Sequence, residues 1–536
     1  MRFFLRTHTI GVAALALGVG VLLSRVMGLV RDKIISYSFG AGQEADIYFT
    51  AFVVPDFINY LLAGGYFSIT LVPLLSAAFE KDREDGWRFF SAAVCWAFLA
   101  ITTLTAVAWG FAEPLAKAIA PGFTPEATAR LTVFLRIILP AQICFLPGAC
   151  FTALLYLRKQ FTIPAITPLV YNGGIILCGV LGIVVAPDSG MTGFCWGVLF
   201  GALCGSLLLP VMAVRAGGLH FSPCLRHPLM KRVLILALPL MLGQSIVVLD
   251  EQFVRIFGSL AGDGSVSLLN YARRIMQVPV GVIAQAAGLA SYPFLVALIT
   301  EGKLAEFHGK MREAVSSAVL VALPVSLWMM ATAEPIMRLI FQQGSFGSRD
   351  AEQSGILLAV MMAAVVFWTI QQMLGRAFYA FQDMLTPAIT GTVVTMATLP
   401  LYWAGAKWLG APGVALAGSA GIALYTAALW NRFSGKYGGD SLRGLVRLTG
   451  KAIVLCLPAT CGAWLAAHGV ALLTGGVGPV FAAFVQTAAS GLAFATLYFG
   501  VLLPFAPELA APFTGLFQRA LRRVAENVKA RSRPEA

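Results

Sequence analysis

The sequence predicts an all-α polytopic membrane protein with about fourteen transmembrane helices. These form two six-helix lobes, repeated in parallel around a central cavity, followed by two C-terminal helices. Three observations lead there: an apolar, charge-poor composition, basic residues in alternate loops, and an internal repeat at a fixed offset. Of the 536 residues, 58% are hydrophobic and only 12% charged, against about 25% charged in soluble domains. The mean hydropathy is +0.81.

Fourteen apolar runs lie near residues 8–29, 44–78, 88–112, 128–157, 163–186, 191–214, 233–259, 266–298, 311–341, 354–381, 385–407, 412–432, 448–472 and 479–503. A bilayer requires about 20 apolar residues per helix, which most of these runs supply. The N-terminal run imitates a signal peptide. It is long for one, and many spans follow it, so it reads as an uncleaved first helix.

The loops between the runs alternate in charge. Lys81, Arg83 and Arg88 lie in one loop, Arg158 and Lys159 in the next of its kind, then Arg215, Arg226, Lys231 and Arg232, then Lys303, Lys310 and Arg312, then Arg432, Lys436, Arg443 and Arg447. The loops between them are poor in Lys and Arg, and APDSG, SLAGDGS and the segment around His468 carry none. One basic loop is weak, since the connection between the tenth and eleventh runs offers only Arg376. Cytoplasmic loops collect Lys and Arg, so the alternation puts both termini in the cytoplasm. It also accounts for the net charge of +13 without nucleic acid as a partner.

The repeat joins the fourth and fifth runs to the tenth and eleventh. LLYLRKQFTIPAITPLV matches AFYAFQDMLTPAITGTV, so that Pro164-Ala165-Ile166-Thr167 recurs as Pro387-Ala388-Ile389-Thr390 and Tyr156 as Tyr379. Phe123 and Phe346 keep the same offset upstream. Six helices separate the copies, an even number, so both halves point the same way, and in transporters built like this the substrate site lies between the halves. The resulting organisation is an N-lobe at 1–215, a C-lobe at 233–432, helices thirteen and fourteen at 448–503, and a basic tail at 507–536. In that tail Leu516, Phe517, Leu521 and Val524 oppose a cationic face, the pattern of a helix lying on an anionic membrane surface.

No nucleotide-binding loop, metalloprotease motif or nucleophile elbow is present, which argues against an enzyme and against ATP hydrolysis. The nine cysteines form no CxxC, and they suggest neither metal nor disulfide. Without a cofactor, energy is left to the membrane potential, an ion gradient such as that of a monovalent ion, or the substrate gradient.

What remains is charge at membrane depth, which is costly and by default marks a substrate or ion path. One cluster is Arg25, Arg31, Asp32, Asp46 and Asp56, and a second is Asp250, Glu251, Arg255, Arg273 and Arg274. Arginine suits phosphate because its planar fork binds two oxygens and keeps its charge. Arginine–carboxylate pairing, for example Arg25 or Arg255 with Asp250 or Glu251, is the structural alternative. Adjacent on a helix, Asp250 and Glu251 point about 100° apart, so both do not face one ligand easily.

SRVMGLVRD (24–32), FGAGQEADIYFTAFVVPDF (39–57) and GYFSITLVP (65–73) resemble the N-terminal signature of the MurJ/MviN lipid II flippases, members of the multidrug/oligosaccharidyl-lipid/polysaccharide exporter superfamily. AIAPGF (118–123), FTIPAITPLVYN (161–172), GSVSLLNYARRIMQVPVGV (264–282) and FYAFQDMLTP (378–387) extend the resemblance in order over roughly the first 390 residues. The resemblance implies a flippase moving lipid II, an undecaprenyl-diphosphate disaccharide-pentapeptide, across the bacterial inner membrane for peptidoglycan synthesis. It implies diphosphate binding by Arg25, Arg31 and Arg274, acidic partners at Asp32 and Asp46, and a lipid-tail groove at the last two helices. Membrane lipids and the cell-wall synthesis machinery are the expected partners, and a monomer suffices.

Three departures stand against that pattern. The family's PNxxR reads Pro55-Asp56-Phe57-Ile58-Asn59, its YADRxxxxP carries Arg273 for the acid and Gln277 for a frequent Glu, and FAEGAFS lacks its Glu. An arginine is lost at Asn59 and one is gained at Arg273, so these two join the substrate-binding candidates. Asp32, Asp46, Asp56, Asp250, Glu251 and Arg255 are the ion or gating candidates. The departures keep open a flippase for another polyprenyl-diphosphate oligosaccharide. A drug:cation antiporter and a non-transporting scaffold that binds a lipid-linked intermediate are further alternatives.

Overall fold

The structure is a computed structural model, and it describes residues 10–63, 66–236, 249–439, 442–474 and 476–505. The basic tail at 507–536 and the middle of the seventh predicted run lie outside these residues. Among the described residues the chain is helical, with no strand.

In order, α1 spans Ile10–Phe39, α2 Gln43–Thr50, α3 Val53–Ala63, α4 Tyr66–Lys81, α5 Arg83–Gly110, α6 Ala112–Ile119, α7 Pro125–Ile138, α8 Gln142–Leu157 and α9 Thr162–Val185. Next come α10 at Thr192–Gly201, a π-helical segment at Ala202–Leu208, α11 at Leu209–Ala216, α12 at 228–236, α13 at Leu249–Gly258 and α14 at Ser265–Pro279. The remainder is α15 at Gln285–Thr300, α16 at Leu304–Ala331, α17 at Ala333–Phe341, α18 at Ser348–Met362, α19 at Val365–Ala380, α20 at Leu385–Leu409, α21 at Ala411–Tyr437, α22 at Leu442–Leu473 and α23 at Pro479–Phe505. Among the described residues nine helices are long and apolar enough to cross a membrane, and a tenth span forms if α18 and α19, bent by 42°, are joined. Among the described residues each predicted run falls on helix, and a total of fourteen is consistent with this strict test.

Two predicted boundaries change. The first helix does not stop near residue 29; α1 continues through Arg31 and Asp32 to Phe39. The second run, expected as one helix over 44–78, is interrupted by a turn at 51–52 between α2 and α3, and residues 64–65 lie outside the described ones. The turn after α1 is made by Gly40, whose φ of 60° is the left-handed region. That conformation strains residues with a Cβ, and a Cβ here would also run into the Ser345 carbonyl.

Local chemistry sets several of the starts. Asp82 accepts from the Glu84 and Asp85 amides at 3.1 and 3.3 Å and opens α5. Thr124 accepts from the Ala127 amide at 3.3 Å, with Pro125 at the first helical position, and opens α7.

The internal repeat is written in the backbone. α5 and α16 are both 28 residues long. Each breaks for one residue and continues as a short helix beginning Ala-Glu-Pro, with Glu113–Lys117 and Glu334–Arg338 ion pairs one turn in. Downstream, the α8 and α19 ends make the same turn. Lys159 and Gln382 have φ of 57° and 59°, and they are the two non-glycine residues with positive φ among the described residues. The Gln160 amide donates to Leu155 O at 2.9 Å, and Asp383 donates to Phe378 O at 3.0 Å, the paired bonds of a Schellman end. Close crossings of small residues recur as well: Gly182 meets Gly193 between α9 and α10, and Gly405 meets Gly413 between α20 and α21.

The chain separates into two compact units. The first draws on Met1–Tyr271, Gln343–Gly347 and Thr395–Val414, and the second on Ala272–Gln342, Ser348–Val394 and Ala415–Ala536. In the second unit α22 and α23 pair through Cys456, Ala459, Ala463, Phe494 and Tyr498. Trp328 of α16 anchors them by donating to Ser490 Oγ at 3.1 Å.

Candidate functional site

The first unit holds most of the candidate residues. α1 carries Arg25 on an exposed stretch and then Arg31 and Asp32 where the helix is covered. Asp32 is fully buried and Arg31 nearly so. The guanidinium folds onto its neighbour, with Nε and Nη2 donating to Asp32 Oδ1 at 3.0 and 2.9 Å. This is not a solvated helix end, because a carboxylate without solvent persists only with a partner. From α9, Asn172 Oδ1 accepts from Arg31 Nη1 at 3.5 Å, while its Nδ2 donates to Pro168 O at 3.0 Å and Ser24 Oγ at 3.4 Å. Asn172 ties the Arg31 fork to a second helix. Its signal in the sequence is a lone amide in an apolar run.

Asp46, on α2, is buried to 1% and is met by main chain rather than by a cation. Its two oxygens accept from the Gly264 and Ser267 amides, each at 2.7 Å. A residue more than two hundred positions away thus caps α14, where a negative charge also meets the positive end of the helix dipole. Tyr271, one face of α14 further on, donates to Gly40 O at 3.1 Å. Its ring contacts Phe49 and Phe346 with centroids 5.5 and 5.6 Å away. Ser345 donates its amide to Tyr37 O at 2.8 Å and its hydroxyl to Ser38 O at 3.1 Å. The ends of α1 and α14 and the 343–347 segment are therefore laced together within this unit.

Asp56, on α3, has the partner that the sequence left open. Arg255 Nη1 donates to Asp56 Oδ2 at 2.7 Å and to Gln252 Oε1 at 3.1 Å, and its Nη2 donates to Glu251 Oε1 at 3.1 Å. Asp250 is separate from this group and accepts a hydrogen bond from the Tyr402 hydroxyl. The two adjacent acids thus point apart, as their helical spacing requires. Asn59 lies half-buried one turn after Asp56. Arg273 and Arg274, also half-buried, fall in the second unit. No group of His, Cys, Asp and Glu able to hold a metal ion occurs among the described residues.

Another cluster was missed at the sequence level. Arg130 Nε donates to Glu44 Oε1 at 2.9 Å, and its Nη2 donates to Ser189 O and Thr192 Oγ1. These fasten the short 186–191 connection to α2 and α7. Nothing in their spacing joins residues so far apart.

Among the described residues the arrangement is one of guanidinium forks held by carboxylates in apolar helices. The family model for lipid II flippase MurJ matches residues 35–486. The chain belongs to the MurJ lipid II flippase family. MurJ is a family of flippases rather than of catalysts. A probable lipid II flippase MurJ of Rhizobium meliloti (strain 1021) is 29% identical over 410 residues, covering 75% of this chain and 76% of that protein. The lipid II flippase MurJ of Burkholderia cenocepacia is 28% identical over 451 residues, covering 81% and 86%. Among solved structures, a lipid II flippase MurJ in an inward closed conformation superposes with a TM-score of 0.72 at 22% identity, covering 91% of this chain and 99% of the other. An inward-facing multidrug resistance transporter of the MATE family superposes at 0.65 with 16% identity, covering 82% of this chain and 98% of the other. These likenesses make the fold that of the MurJ and multidrug exporters. Arg25, Arg31 and Asp32 precede the matched segment, whereas Asp46, Asp56, Asn59 and the 250–274 group lie inside it.

Proposed function

We propose that this protein moves lipid II from the cytoplasmic to the periplasmic leaflet of the bacterial inner membrane by alternating access, with both termini cytoplasmic. Membership of the MurJ family over most of the chain carries the reading. In this reading Arg25, Arg31 and Arg274, with Arg273 and Asn59, take the diphosphate. Asp32, Asp46, Asp56, Asp250, Glu251 and Arg255 serve as ion or gating residues as the lobes at 1–215 and 233–432 exchange access. The polyprenyl tail stays beside the helices at 448–503. The membrane potential or a monovalent ion supplies the energy. A monomer suffices, with membrane lipids and the cell-wall synthesis machinery as neighbours and no part for nucleic acid.

The Arg255–Asp56 pair supports the reading in spite of the departures. The acid introduced at position 56 is neutralised by Arg255, so its charge is not added to the substrate path uncompensated. The experiment is complementation of a strain depleted of its own lipid II flippase, with membrane levels of the protein verified. Wild type is expected to rescue growth, and Arg25→Ala and Arg274→Ala are expected to fail. Failure of wild type would transfer the assignment to another polyprenyl-diphosphate oligosaccharide, while rescue by both variants would remove those arginines from the site.

A further inference from the structure

A groove of about 890 Å³ opens on the first unit, and none of the candidate site residues lines it. Its walls are Phe98 and Leu99 of α5, Phe151 of α8 and Leu207 of the π-helical segment, closed by Phe221, with Arg226 at the rim. The volume is that of a small-molecule site, and the lining is apolar apart from the rim. Phe98 and Leu99 are about half exposed on a helix long and apolar enough to span a membrane. The π-helical segment behind Leu207 is an irregularity of a kind found frequently at functional sites.

The rim is built into the protein. Trp96 Nε1 donates to Leu225 O at 2.8 Å, the Ser222 amide donates to Ser91 Oγ at 3.1 Å, and His227 contacts Asp85 at 3.2 Å. These bonds clasp the 221–227 connection along α5 and hold Arg226 over the groove mouth. Arg226 is exposed and makes no ion pair or side-chain hydrogen bond among the described residues. Lys231 and Arg232 follow within a few residues.

We infer that this groove binds one acyl chain of an anionic phospholipid, with the headgroup phosphate on Arg226. An apolar trough beside lipid-facing side chains suits a hydrocarbon tail. A guanidinium with no acidic partner suits a phosphate that brings net negative charge, since basic residues beside a membrane helix attract anionic lipid. A zwitterionic lipid offers the same tail but a headgroup with no net charge.

Native mass spectrometry of the full-length protein, with phosphatidylglycerol or phosphatidylcholine added at equal concentration, tests this. The wild type is expected to retain phosphatidylglycerol preferentially. Arg226→Ala is expected to lower that preference about fivefold, the equivalent of roughly 1 kcal/mol. Leu99→Trp, which fills the groove, is expected to lose both adducts while thermal unfolding stays cooperative. An unchanged preference in Arg226→Ala overturns the headgroup assignment, and unchanged adducts in Leu99→Trp overturn the groove. Displacement of phosphatidylglycerol by an equal amount of undecaprenyl diphosphate overturns the choice of occupant and gives the groove to a polyprenyl tail.

Discussion

Lys159 and Gln382 stand at the same point of two repeated turns and share a left-handed backbone, with φ of 57° and 59°. Each turn then docks on the end of a helix further along its own unit, by opposite means. Arg158 donates to Val214 O and Gly218 O at 3.2 and 2.7 Å. In the other copy Asp383 accepts from Lys436 Nζ at 2.7 Å and Tyr437 Oη at 2.9 Å. The repeat has kept the backbone and exchanged the polarity of the contact.

A residue with a Cβ in the left-handed region costs on the order of 1 kcal/mol, which glycine relieves. Lys159→Gly and Gln382→Gly are each expected to raise the unfolding temperature in detergent, or at least leave it unchanged. A β-branched replacement such as Gln382→Val is expected to lower it by a comparable free energy. Thermal unfolding of the purified variants checks this.

The Asp383 contact predicts an acid-sensitive step. Burial alone raises this carboxyl, but hydrogen bonds from Lys436, Thr386 and Tyr437 outweigh it and hold the pKa at about 2, below the ordinary 3.8. A group depressed on folding stabilises the protein above its unfolded pKa, and the contribution disappears as pH falls through the folded value. The loss therefore falls between about pH 4 and pH 2. Lys436→Met is expected to shrink the acid-induced drop in unfolding temperature over this window, measured by a pH series on both proteins.

Arg255 serves Asp56 and Glu251 together, so its removal leaves two carboxylates short of a cation. Breaking a buried ion pair on one side costs about 3–5 kcal/mol. Arg255→Ala is expected to unfold at a lower temperature than Asp56→Ala, because the latter leaves Arg255 with Glu251. The double variant Asp56→Ala/Arg255→Ala is expected to be more stable than Arg255→Ala alone. A double-mutant cycle on unfolding free energy measures the coupling.

Asp46 is expected to tolerate no apolar replacement. Loss of a helix cap costs about 0.5–2 kcal/mol, and here two amides at the α14 start are left without their acceptor. Asp46→Asn keeps one acceptor oxygen and is expected to lose less than Asp46→Ala. Hydrogen exchange at the Gly264 and Ser267 amides is the direct measurement, with faster exchange in both variants and the larger increase in Asp46→Ala.

Much of this protein was legible in its sequence because the signals are local or periodic. The apolar runs and the Pro-Ala-Ile-Thr repeat pointed to the helices and the duplicated plan, since a lipid-facing helix must satisfy its own backbone hydrogen bonds. The Arg31–Asp32 cluster was visible as charge in apolar sequence. What a carboxylate meets was not visible. Asp56 finds Arg255, Asp46 finds the amides of Gly264 and Ser267, and Asp250 finds Tyr402, at sequence separations of 152 to 221 that no helical period reaches. Hydropathy marks the membrane helices and the residues that are too charged to be idle. The pairing of those charges is a matter of three-dimensional proximity at low dielectric, and only the tertiary structure decided it.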